Sequence, residues 1–190
     1  MRAFSFLLAV IALALVIDHG EAQDKKEPPA AKAEKFTYRV YGLFSADREQ
    51  DLREAFKELP DVTLLAVNYD DGEITVEMVP AKAFPGAKPE QVLERLDQKV
   101  RTETRSTFAL GARRTIGRDK LEQVVIPIVG LDCKACSLAA YEMIAKLEGV
   151  DRVTASFKEG KVTALIDPTK TDKAKLEDVY RKRGVTLGKP

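Results

Sequence analysis

The two cysteines of this 190-residue chain stand together in the run Gly130-Leu131-Asp132-Cys133-Lys134-Ala135-Cys136. Thiols at that spacing, at the start of a helix, can point at one atom. The helix dipole and the unpaired N–H groups of the first turn favour thiolate there. Lys134 acts in the same direction and Asp132 against it. Two sulfurs without imidazole make a soft, low-coordinate donor set, suited to Cu(I) and, by the same softness, to Hg(II). Zn(II) prefers four ligands and would need two more. A dithiol at a helix start is equally a redox layout, and in an oxidising compartment it can close as a structural disulfide.

Other chemistries find little support. The only histidine is His19, and no G-x-x-x-x-G-K-[ST] phosphate loop is present. Catalytic triads and paired histidine ligands are absent, and carboxylates such as Glu54 and Glu142 fall on polar helix faces, so an enzyme is not expected. Lys and Arg number 31 against 30 Asp and Glu, a net charge of +1. That balance offers no basic field for nucleic acid.

The elements that must position the cysteines come from an internal repeat. Residues 36–80 lie over residues 124–168 at a constant offset of 88. Gly42-Leu43 falls on Gly130-Leu131, Glu54 on Glu142, Leu59 on Leu147, Val62 on Val150, Gly72 on Gly160, Thr75 on Thr163 and Pro80 on Pro168. Two such copies must fold alike. Each reads β-α-β-β-α-β. The first strand alternates in period two, with Phe36, Tyr38 and Val40 matched by Val124, Ile126 and Ile128. The first helix carries Leu52, Ala55, Phe56 and Leu59 on one face, matched by Ala140, Met143, Ile144 and Leu147.

A hairpin follows, with Leu65, Val67 and Tyr69 facing Ile74, Val76 and Met78 across Asp70-Asp71-Gly72-Glu73. Its counterpart sets Val153, Ala155 and Phe157 against Val162, Ala164 and Ile166. The second helix runs from about Pro89 to Arg101 in one copy and from Asp172 to Arg183 in the other. About five extra residues around Phe84-Pro85-Gly86 precede the former. Short last strands fall at residues 107–110 and 185–187. The expected fold is α+β: two tandem ferredoxin-like βαββαβ domains, each an antiparallel four-stranded sheet with two helices on one face.

Outside the copies, residues 1–22 read as a secretory signal peptide. Met1-Arg2 is a short positive start, residues 4–17 are apolar except Ser5, and Gly20-Glu21-Ala22 is a cleavage site. The apolar run is too short for a spanning helix of about 20 residues. The expected location is therefore exported, periplasmic or secreted, with no membrane span after cleavage. Residues 23–35 read as a flexible tether of Lys, Glu, Pro and Ala. The domains are then 36–110, without cysteines, and 123–190, with the dithiol. Residues 111–122, carrying Arg113, Arg114, Arg118 and Lys120, read as a solvated linker.

The stretch 124–187 resembles the heavy-metal-associated domain of copper chaperones, metal-transporting ATPases and the periplasmic mercuric-ion-binding protein. The family's Gly-Met-x-Cys-x-x-Cys is met by Gly130 to Cys136, followed by Gly149-Val150, Asp167-Pro168 and Gly184. The resemblance implies the βαββαβ fold and capture of one metal ion per chain by Cys133 and Cys136: Cu(I) first, with Hg(II) or Zn(II) as further candidates. It also implies a metal-donor or acceptor partner, such as a metal-transporting ATPase or another domain of this family. Leu131 replaces the usual Met, a volume-conserving swap. Asp132 sets a negative charge beside the thiols. Where the family often has an aromatic or Lys near the metal, Val185 stands, leaving Lys182 or Arg183 to compensate charge. The first copy is degenerate, with Ser45 at the place of Cys133 and Arg48 at that of Cys136. Against metal capture for transport or sequestration stand two alternatives: an interaction protein with a structural disulfide, and a thiol–disulfide redox protein.

Overall fold

The computed structural model describes residues 32–189, so the signal-peptide reading of residues 1–22, with His19, lies outside the described residues, as does most of the tether. Strand β1 (Glu34–Tyr41) already takes in the tether's last two residues. Helix α1 (Arg48–Lys57), the hairpin β2 (Val62–Asn68) and β3 (Glu73–Met78), and a short helix α2 (Pro80–Ala83) follow. A 3-10 turn at Pro89–Gln91 leads into α3 (Val92–Glu103), and β4 (Ala109–Gly111) completes the first copy. The second copy comprises β5 (Glu122–Pro127), α4 (Lys134–Ile144), β6 (Val150–Ser156), β7 (Lys161–Ile166) and α5 (Lys173–Lys182).

The first sheet has the order β2-β3-β1-β4, every pair antiparallel, which is the ferredoxin-like arrangement. The repeat is written into the hydrogen-bond register. Phe36 faces Val76 and Tyr38 faces Ile74; 88 residues on, Val124 faces Ala164 and Ile126 faces Val162. The amide of Val40 donates to Gly72 O at 2.8 Å, as that of Ile128 does to Gly160 O. Gly42 and Gly130 share positive φ, and Asp61 takes the left-handed place that Gly149 holds in the other copy.

Several expectations need correction. The second sheet has three strands, β5-β7-β6, and the expected fourth strand at residues 185–187 is reduced to one bridge between Ile128 and Leu187. Gly188 N–H donates to Pro127 O at 2.9 Å, but Pro127 has no N–H to return and the ladder stops. In both hairpins a bulge shifts the register: at Leu65, so that Val62 and Leu64 take the paired places before it, and at Asp151 in β6. Leu65 is consequently exposed, and Phe157 lies beyond β6 and is 41% exposed. The extra stretch in the first copy is more than a loop, since α2 and the buried Phe84 pack on the core.

Each copy has its own core. One gathers Tyr38, Leu52, Phe56, Ile74, Leu96 and Phe108; the other Ile126, Ile144, Val162, Leu176 and Tyr180. Phe44 crosses over. It belongs to the first copy by sequence but is 3% exposed in the core of the second, and its carbonyl accepts from Ala155 N–H at 3.0 Å on β6. Arg152 on β6 reaches back, donating to Tyr69 O at 2.9 and 3.1 Å while its guanidinium lies over the Tyr69 ring. Residues 111–122 are not merely solvated. Arg114, its side chain 11% exposed, donates to Asp71 and Asp151 at 2.9 Å each and so joins the two copies. Among the described residues no helix is long and apolar enough to cross a membrane.

Candidate metal centre

Strand β5 ends at Pro127, and the chain turns through Gly130, at φ 78, into α4. Leu131 is buried and anchors the turn in the core, while Asp132 is exposed. Cys133 is the N-cap of α4, its Sγ accepting from Cys136 N–H at 3.0 Å and its carbonyl from Ser137 N–H at 3.0 Å. Sulfur here takes the place of the oxygen that usually satisfies a first-turn amide. The two cysteines are half-buried, their Cα atoms 5.1 Å apart, and they are joined as a disulfide. Cys136 Sγ lies 3.4 Å from Asp132 Oδ1. One donor atom from each of Asp132, Cys133 and Cys136 falls within 4.8 Å of the other two.

Chemically the site is a dithiol in its oxidised form with a carboxylate beside it. Reduced, it offers two sulfurs and one oxygen. Lys134, which the sequence suggested would favour thiolate, is instead paired with Asp47 of the first copy at 2.5 Å. Asp47 is held below the usual carboxylate range, chiefly by that hydrogen bond from Lys134, with Ser45 Oγ donating a second at 2.5 Å. Lys182 pairs with Asp178, and its pKa is raised by that hydrogen bond.

Ser45, at the place of Cys133, thus serves Asp47 and faces no ligand set. Arg48, at that of Cys136, has its charge over the Phe108 ring, 4.5 Å from the centroid, and pairs with Asp51. A cation at a helix start is disfavoured by the dipole; the aromatic face and the aspartate offset that. Helix α4 is further fixed from below, where Tyr180 on α5 donates its hydroxyl to Ala140 O at 2.8 Å. Phe44, Asp47 and Tyr141 escaped the sequence reading. One signal was available for the first: the offset sets Phe44, a large apolar side chain, where the second copy has the exposed Asp132.

Fold and site together define a two-unit ferredoxin-like protein with a dithiol at a strand-to-helix crossover in one unit only. No family model matches the chain, and no curated protein matches it. Solved structures do. Oxidized MerP from Ralstonia metallidurans CH34 is 25% identical over 36% of this chain and 99% of its own, with a TM-score of 0.33. A protein from Bacillus anthracis str. Ames described as a copper-ion-binding protein is 25% identical over 36% of this chain and 96% of its own, with a TM-score of 0.34. The N-terminal soluble domains of Bacillus subtilis CopA are 20% identical over 83% of this chain and 93% of their own, with a TM-score of 0.33.

Proposed function

We propose that the reduced chain captures one soft metal ion between Cys133 and Cys136, for transport or sequestration outside the cytoplasm. The observation that carries this reading is the pair of sulfurs at the start of α4, half-buried and close enough to meet one atom. Cu(I) is the first candidate cargo, because two thiolates satisfy it without further ligands. Asp132 extends the donor set to two sulfurs and an oxygen, which keeps Zn(II) in the comparison. The exchange partner is a metal-donor or acceptor protein, such as a metal-transporting ATPase or another heavy-metal-associated domain, whose thiols attack the bound ion. The chain is a carrier in this reading and not an enzyme.

A second reading is favoured by the disulfide itself: an interaction protein in which the pair is structural. An anaerobic Cu(I) titration of reduced chain against a chromophoric chelator separates the two. One tightly held ion per chain, lost in Cys133→Ser/Cys136→Ser, is the expected result. No competition above that variant removes the carrier reading. Zn(II) titrations of the chain and of Asp132→Asn decide whether the carboxylate takes part.

A further inference from the structure

The cysteine-free copy has a use for its degenerate loop. Residues 42–47 correspond, at the offset of 88, to the metal loop of the second copy, and in the fold they grip the helix that this second loop begins. At the first residue of α4, Lys134 Nζ pairs with Asp47 Oδ2 at 2.5 Å. Two turns on, Tyr141 accepts from Gly42 N–H at 2.8 Å through its buried hydroxyl. The ring of Tyr141 also lies against Phe44, 5.9 Å between centroids. Phe44 in turn binds β6 through its carbonyl. One short segment therefore touches α4 at its start and middle, and the strand beside it.

Local features of the segment suit this task. Gly42 sits at φ 93 with Thr107 O where a Cβ would stand, so the chain turns toward α4 where no other residue fits. Ser45 orients the carboxylate of Asp47 toward the second copy. We propose that Asp47 is a positioning residue for the dithiol. By holding Lys134, the degenerate loop fixes the first turn of α4, and with it the relative placement of Cys133 and Cys136, so that a bound ion is released slowly. This rests on the carrier reading above.

The test uses the full chain and Asp47→Asn, with two readouts. Amide hydrogen exchange at Cys136 and Ser137, whose N–H groups bond Cys133, reports the first turn without any metal. Release of Cu(I) from loaded, reduced chain to a chromophoric chelator reports the site. Both groups of the pair are more than half exposed, so the variant is expected to speed exchange and release about two- to fivefold at low salt. Near 1 M salt, where the screening length falls to about 3 Å, the difference should narrow as the unmutated chain approaches the variant. A purely structural defect would not respond to salt in this way. Equal exchange rates at low salt overturn the brace. Faster exchange with unchanged Cu(I) release overturns its role at the site. If the unmutated chain holds no Cu(I), the carrier reading fails and the positioning role falls with it, whereas the exchange contrast alone still reports whether the loop holds the helix.

Discussion

Phe44→Ala is a perturbation in the first copy whose damage should appear in the second. Phe44 is 3% exposed, packed with Tyr141 and grouped with Ile126, Val153 and Ile144. Truncating a core phenylalanine costs about 3–5 kcal/mol. A cavity of about 550 Å³, lined by Phe44, Tyr69, Lys134 and Phe157, opens beside it, so solvent can reach part of the gap and the cost falls at the low end, about 3 kcal/mol. For a chain of this size that lowers Tm by roughly 6–12 °C. The assay is urea unfolding followed by hydrogen exchange. Loss of protection should centre on Ala155 and its neighbours on β6, 111 residues away in sequence. Phe157→Ala is the control: the same side chain removed from an exposed place, expected within about 0.5 kcal/mol. If the two variants cost the same, or if Phe44→Ala loosens only first-copy amides, the crossed-over core is refuted.

Four further outcomes are expected. Gly42→Ala and Gly130→Ala fall at equivalent left-handed positions; the second pays conformational strain of about 1–2 kcal/mol, while the first, whose Cβ would lie 2.0 Å from Thr107 O, should lose markedly more in urea unfolding. Arg114→Met leaves the largely enclosed carboxylate of Asp151, its side chain 9% exposed, without its partner and should cost about 3 kcal/mol. Burial raises the pKa of Asp71, but the hydrogen bond and charge of Arg114, the charge of Arg118 and the hydrogen bond from Asn68 together outweigh it, and the net shift is downward. Its contribution is therefore whole above the ordinary value of 3.8 and is lost as pH falls below it, a loss that acid titrations of Arg114→Met should show diminished. Ser137→Ala removes a buried hydroxyl with no hydrogen-bond partner among the described residues and should be neutral or stabilising by about 1 kcal/mol in thermal unfolding.

Periodicity and the offset of 88 made the elements, their order and the hairpin pairings legible, because each is a local or repeated pattern. The helix face of Leu52, Phe56 and Leu59 is buried as expected. The dithiol was legible too, since its two members are three residues apart. What escaped depended on events that no local pattern marks. A bulge at Leu65 or Asp151 changes register without a distinctive residue. The missing N–H of Pro127 ends the ladder that residues 185–187 needed, leaving one bridge. The roles of Phe44, Asp47, Arg114 and Tyr141 are set by how the copies meet, and that is a property of neither copy alone.

The segment between the copies, residues 111–122, was expected to be a solvated linker. Arg114 changes what chain continuity is for. With that residue clamped by Asp71 and Asp151, Phe44 seated across the boundary and Arg152 plugged into the Tyr69 turn, the halves cohere through contacts that survive a broken backbone. A proteolytic nick at the exposed Arg118–Lys120 turn should leave a particle that sediments as one piece and parts only in denaturant. Continuity of the backbone is then the least of what joins the copies: the half that carries the cysteines is held by the half that lacks them.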